Sequence, residues 1–315
     1  MRAFRLICEV VAKPLAHLVG PRVPRGRGRA GRASLLVFCI CFGIVIAWSS
    51  FAEDATAVTN APPPSAVTLD VTVIADVTSG YLLYGALMNS QPCAQGGVEA
   101  GASYRNLGRF GVGAWANSDL TGRRHTFGKA FNEDDFYLHY SRAFAFTEKV
   151  AFSLRLMHMW YWYPHSRGRT GKGCPSKREL YVIGLLDNPY VVPYAMFTHE
   201  WELTDGSYFE CGLRRRCDLG GGFALTPSVS GNWLSHGYMT IFPAPPGERA
   251  CEPGIGCLRA ALIAEYAVTA HFAIHARIDY VSLVNDEVRG AIRAAHHSPY
   301  RDDFVWGSIG CSYSF

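Results

Sequence analysis

Ala94-Gln95-Gly96-Gly97-Val98-Glu99-Ala100-Gly101-Ala102-Ser103-Tyr104-Arg105 divides by parity. Ala94, Gly96, Val98, Ala100, Ala102 and Tyr104 form an apolar or small set; Gln95, Glu99, Ser103 and Arg105, with Gly97 and Gly101, form the other. An extended strand sends successive side chains to opposite faces, so this stretch makes a strand with one apolar and one polar face. The same split returns over 223–230, 272–281 and 305–315, and lapses over 180–186, where both parities are apolar. Helical periodicity is hard to find anywhere beyond residue 67.

Working outward, the chain divides into twelve strands, near 67–78, 94–105, 109–118, 132–142, 149–162, 177–186, 190–202, 206–216, 222–234, 258–269, 272–284 and 303–315. Short connections at 106–108, 143–148, 187–189, 217–221 and 270–271 alternate with long ones at 79–93, 119–131, 163–176, 235–257 and 285–302; 203–205 is the short exception. Asn106-Leu107-Gly108 and Asp187-Asn188-Pro189 carry turn chemistry. The pattern predicts an all-β fold, a transmembrane antiparallel up-and-down β-barrel with both termini at the short-turn, periplasmic end.

Aromatic residues gather near the strand ends. Trp160, Tyr161, Trp162, Tyr163, Trp201, Trp233 and Trp306 fall toward the loops, and Tyr104, Tyr190, Tyr313 and Phe315 toward the turns. Two girdles of this kind mark the two membrane interfaces. The chain ends on Phe315, with Tyr313 two residues before it, the form of strand that the barrel assembly machinery reads. A soluble periplasmic β-sandwich or lipocalin-like barrel competes, with its polar parity turned to water instead.

The 315 residues carry 30 Lys plus Arg against 26 Asp plus Glu, a net +4. That surplus sits at one end. Residues 1–33 hold eight basic side chains against Glu9, so residues 53–315 net −3. Leu35 to Trp48 is an uncharged run of 14 residues, short of the ~20 of a spanning helix. Ser50-Phe51-Ala52 follows as a small-x-small cleavage site. Residues 1–52 are therefore expected to be a secretory signal peptide with a long basic n-region. Residues 53–66, with Pro62-Pro63-Pro64, are expected to be an extended periplasmic lead-in, and 67–315 the barrel.

If the apolar parity meets lipid, the other lines the lumen. Candidate lumen-lining residues are Glu99, Arg105, Arg155, Glu210, Arg214, Glu265, His275, Arg277 and Asp279, of mixed sign. They either pair and fill the lumen or leave a narrow polar channel. A basic external rim is expected from Arg123, Arg124 and Lys129 in one long loop and Arg167, Arg169 and Lys172 in the next, extended by Lys177 and Arg178. Such a rim suits lipopolysaccharide phosphates or draws anions inward.

Thr78-Ser79-Gly80-Tyr81-Leu82-Leu83-Tyr84-Gly85, followed by Asn89 and Pro92, resembles a first-loop signature of uncharacterised bacterial outer-membrane β-barrels, approximately S-x-Y-V-x-R-G, then Asn, then Pro. Gly113-Ala114-Trp115-Ala116-Asn117-Ser118-Asp119-Leu120-Thr121 resembles their W-x-N-x-D-L-T segment. Phe131-Asn132-Glu133-Asp134-Asp135-Phe136, ending in Tyr140-Ser141, resembles their N-E-x-D-Y … Y-S. The resemblance implies fold and compartment over roughly 75–141. Tyr84 stands where that family has Arg, so no role of that Arg carries over.

Seven cysteines follow the leader, and an odd number leaves at least one unpaired. Cys251 with Cys257, in one external loop, and Cys93 with Cys174, in two others, are candidate disulfides in an oxidising compartment. Cys211 and Cys311 fall on the lipid-facing parity and are expected to behave as small hydrophobes. No metal site and no cofactor is expected; His296-His297 has no ligand-spaced companion. No G-x-S-x-G, H-E-x-x-H or Walker A motif is present.

The expectation is therefore a non-enzymatic outer-membrane barrel, a narrow solute channel or envelope structural protein. Its partners would be outer-membrane lipid, lipopolysaccharide, the assembly machinery and small solutes, not nucleic acid. The alternative is an outer-membrane enzyme acting on lipid. Its mark would be a Ser-His pair from adjacent strands on the lipid-facing parity. His158 and Ser153 lie on opposite parity of one strand and do not qualify.

Overall fold

The computed structural model describes residues 67–104, 107–120, 133–162, 177–202, 204–239, 253–286, 289 and 303–315. The expected signal peptide and lead-in lie outside these. So do Arg105, Arg123, Arg124, Lys129, Arg167, Arg169, Lys172, Cys174 and Cys251.

The described strands are β1 (Val67–Thr78), β2 (Tyr81–Leu83), β3 (Ala86–Asn89), β4 (Cys93–Tyr104), β5 (Gly108–Asp119), β6 (Glu133–Ala145), β7 (Ala151–Trp162) and β8 (Lys177–Asp187). They continue with β9 (Val192–Glu200), β10 (Gly206–Arg214), β11 (Cys217–Gly220), β12 (Phe223–Leu234), β13 (Gly254–Ala267), β14 (Phe272–Leu283) and β15 (Asp303–Ser314). Every barrel strand pairs antiparallel with its neighbour in the chain, from β4 round to β10 and from β12 to β15. β10 pairs with β12, and β1 bridges β4 and β15, so the twelve-strand ring closes without an edge. Closure gives every barrel strand a hydrogen-bonded neighbour on both sides, as hydrocarbon surroundings demand.

The expected twelve strands are these twelve, with boundaries moved by a few residues. Two additions were not expected. β11 prolongs β10 past Arg215-Arg216 and pairs with the start of β12. The connection 79–92 carries a hairpin of its own, β2 with β3.

The two faces differ as the alternation requires. Leu69, Val112, Phe110, Phe136, Leu138, Leu258 and Ile309 are exposed on the outward parity. The inward parity carries Asp70, Glu99, Arg109, Tyr137, His139 and Glu179, all partly or fully buried. The buried apolar cluster gathers inside the loop end, from Tyr81, Tyr161, Tyr208, Leu234, Tyr238, Val281, Phe304 and Trp306. This corrects the loop-side girdle at two positions. Tyr161 and Trp306 point inward, the latter donating from Nε1 to the Gly80 carbonyl at 2.7 Å. Trp162, Trp201 and Trp233 remain on the outer face, exposed.

The expected external position of Lys177 is also corrected: it is buried inside the loop end against Glu179. Cys93 and Cys257 are free, buried thiols, so neither carries the bridge expected for it. The Cys93 thiol donates to the Gln91 carbonyl and accepts from Asn89 Nδ2, both at 3.3 Å. Cys211 is exposed on the outer face. Tyr313 and Phe315 lie exposed at the turn end with ring centres 4.6 Å apart.

Candidate functional site

The lumen has two levels. The loop-end level is crossed by the first loop. Ser79 still pairs with β15, its N–H donating to Gly307 O at 2.8 Å. β2 and β3 then turn through Tyr84 and Gly85, with φ of 51° and 82°. Positive φ at both central residues is the tight primed hairpin turn, in which a tyrosine is unusual. Gly85 is required twice: by its φ, and because a Cβ there would overlap the Cys257 sulfur.

The turn lands on the wall opposite β1. The Tyr84 carbonyl accepts from Asn232 Nδ2 on β12 at 2.8 Å. Its hydroxyl donates to Glu179 on β8 and lies 2.8 Å from the Tyr181 hydroxyl and 3.3 Å from that of Tyr161. Its ring lies 4.7 Å from that of Tyr208 and edge-on to Tyr238 at 5.1 Å. Burial, with the Glu179 carboxylate beside it, pushes the Tyr84 phenol well above its ordinary range, so it stays a hydrogen-bond donor.

Glu179 is the acceptor for the whole knot. It takes Tyr161 at 2.8 Å, Tyr181 and Tyr238 at 2.5 Å each, Tyr84, and the ammonium of Lys177. Lys177 Nζ also sits 4.4 Å from the Tyr161 ring centre and 5.1 Å from that of Tyr84. A buried carboxylate is tolerable only with such saturation. Glu133 and Asp135, buried on β6, share this level with Lys177 on their inward row.

Below the knot, the rest of the lumen carries further paired charges. Glu99 accepts from Arg109 at 2.6 Å, Arg155 at 2.7 Å and the Tyr137 hydroxyl at 3.1 Å, and lies 3.1 Å from His139 Nε2. Arg109 grips Asp70 with two further bonds, of 3.1 and 2.5 Å. A second cluster stands on β9–β14. Glu210 accepts from Tyr194 at 2.8 Å, Arg259 at 2.7 Å and Tyr208. Arg277 forks onto Asp279 at 2.6 and 2.8 Å. His275 meets Asp76 at 2.6 Å, and Arg216 meets Glu265 at 2.8 Å. Arg214 is exposed at the turn end on the same inward parity.

These charges pair along the wall rather than across it. Glycines make that possible: a Cβ on Gly111 would overlap the His139 ring, and one on Gly113 the Tyr137 ring. Space remains between the walls. Ile74, on the inward parity between Gly97 and Ser312, is 42% exposed. On β7–β9 the inward side chains turn apolar: Met157, Met159, Ile183, Leu185 and Met196. This is the lapse over 180–186, an apolar patch that adjoins Arg155, opposite Ile183, and Glu179, opposite Met159.

The sequence did not single out Asp70, Asp76, Arg109, His139, Glu179 or Arg259. Asp70 and Asp76 share the inward parity of β1 with Thr72 and Thr78, a readable signal once that strand was placed. Glu179 was masked by the apolar run that follows it.

No family model matches this chain. No curated protein matches it either. Among solved structures it is similar to an outer-membrane channel from Pseudomonas putida F1, at 10% identity, covering 83% of this chain and 100% of that one, with a TM-score of 0.49. It is similar to the NanC porin at 11% identity, covering 78% and 99%, with a TM-score of 0.44. It is similar to the KdgM porin at 8% identity, covering 78% and 99%, with a TM-score of 0.42. At these scores the likenesses add no weight, and the barrel rests on its own strand register.

Proposed function

We propose that the chain is an outer-membrane β-barrel and that its lumen is a narrow solute passage held shut by the first loop. The membrane placement is supported by edge-free closure with a continuous apolar outer face. The passage is supported by the level of wall-paired charges around open space, and the shut state by Tyr84 spanning to the far wall. On this reading small solutes enter from the loop side, and the chain needs no cofactor. Lipid and lipopolysaccharide surround it, and the assembly machinery takes the Tyr313–Phe315 end. The external basic rim, outside the described residues, would draw anions toward the mouth.

The test is planar-bilayer conductance of the purified, heat-modifiable barrel. Wild type should pass little current, with rare openings. Tyr84→Ala removes the ring and the hydroxyl donor, and conductance should rise at least several-fold. A folded Tyr84→Ala barrel as silent as wild type would overturn the passage and leave the envelope structural role.

A further inference from the structure

We propose that Ser207, His199 and Asp205 form an ester-cleaving site on the outer wall, at the boundary between lipid and water. His199 on β9 and Ser207 on β10 are directly opposed in the ladder, both on the outward parity. The His199 Nδ1 lies 3.1 Å from Ser207 Oγ. On the far side of the ring, Nε2 lies 3.8 Å from Asp205 Oδ1. At that distance Asp205 makes no hydrogen bond to the ring in this structure; its carboxylate faces Nε2, and a proton on Nε2 would leave the Nδ1 lone pair for the Ser207 hydroxyl. That is a nucleophile, a general base and an orienting carboxylate in the order acyl transfer requires.

The surroundings fit a lipid substrate. Phe197 and Phe209 are exposed on the same outward faces, two residues toward the membrane centre from His199 and Ser207. Trp201 stacks on the His199 ring at 6.3 Å, in the position of an interfacial aromatic. The His199 side chain is 38% exposed and open to a ligand. Asp205 is a non-glycine residue at φ 45°, in the left-handed region.

The acyl ester linkage of a membrane lipid lies at this depth, where chain meets headgroup. Ser207 Oγ bonds to the ester carbonyl carbon as its proton passes to His199 Nδ1. The bond from that carbon to the alcohol oxygen breaks, and the alcohol leaves with the proton from His199. Water then attacks the acyl-Ser207 carbonyl and gives a proton to His199. Ser207 recovers that proton as the fatty acid departs. Asp205 acts as a positioning residue that steadies the imidazolium.

The inference shares the membrane placement of the channel reading but not its lumen, so loss of hydrolysis and loss of conductance are separable. The experiment uses the full barrel, folded by the heat-modifiability criterion, in mixed micelles of detergent and phospholipid and with a p-nitrophenyl acyl ester. Wild type should release fatty acid, and a fluorophosphonate probe should label Ser207. Ser207→Ala should remove the labelling and lower the rate by about a hundredfold or more. His199→Gln should do likewise. Asp205→Asn should lower kcat with little change in KM, and Asp205→Glu should recover part of it. Equal hydrolysis by folded wild type and Ser207→Ala, or no Ser207 labelling in wild type, would overturn the site.

Discussion

Glu179 is the residue on which the closed state turns. One buried carboxylate accepts from four tyrosine hydroxyls on β7, β8, the first loop and the helical turn His236–Met239, and it balances Lys177. Removing one partner of a buried ion pair strands the other charge, at about 3–5 kcal/mol. Glu179→Ala should lower stability by that order in denaturant unfolding from vesicles. Adding Lys177→Met should recover part of the loss, because the stranded ammonium goes with it. Parity put Glu99, Arg155, Glu210, Arg214, Glu265, His275, Arg277 and Asp279 on one face, and the strand register keeps them on one parity, opposite to that of the exposed apolar residues of the outer face. Parity could not say that a loop folds inward, because an irregular segment has no period to read. Tyr84 stood out in the sequence only as a departure from a signature. The Ser207–His199 pairing was not legible either. The expected connection at 203–205 centres on 204 and would have set Ser207 against Trp201; the observed strand ends, Glu200 and Gly206, shift the register by two residues and set it against His199.

At the scale of elements, wall-paired charge depends on small neighbours. β4 and β5 carry glycine at inward positions where β5 and β6 bring long polar side chains. Gly111→Val should push His139 off Glu99 and disturb Arg109 with it. Overpacking of this kind costs about 1–3 kcal/mol. The expected readout is a lower temperature for loss of the heat-resistant band, with the outer face unchanged. The strand plan itself was legible because period two is robust to single errors; β6, β7 and β12 were placed to within a few residues. β11 was not, because Arg214-Arg215-Arg216 breaks the alternation and the turn that follows is built from Gly220, Gly221 and Gly222, all at positive φ. The girdle assignments of Tyr161 and Trp306 failed for a related reason. Nearness to a strand end gives height along the barrel, whereas side of the wall follows from parity alone.

For the whole molecule, the apolar fraction of the sequence is an outer coat rather than a dry centre. Leu138, on β6 midway between the ends, is 50% exposed to the outside. Leu138→Arg should cost about 2–4 kcal/mol of folding free energy in bilayers, the depth-dependent penalty for a cation facing hydrocarbon. The same substitution should be close to neutral in detergent-free water if the outer face were solvated. Comparison of the two arms therefore tests the membrane placement directly.

β1 takes β4 as one partner and β15 as the other, with Thr72 opposite Ser314. The second of those contacts spans nearly the entire folded segment, so it has the highest contact order in the chain and is slow to form. Until β15 has been synthesised and delivered, β1 and β14 each keep a raw edge of unpaired amides. The growing chain is therefore a curled ribbon with two adhesive margins, and escorting it to the membrane is a matter of keeping those margins from meeting strangers.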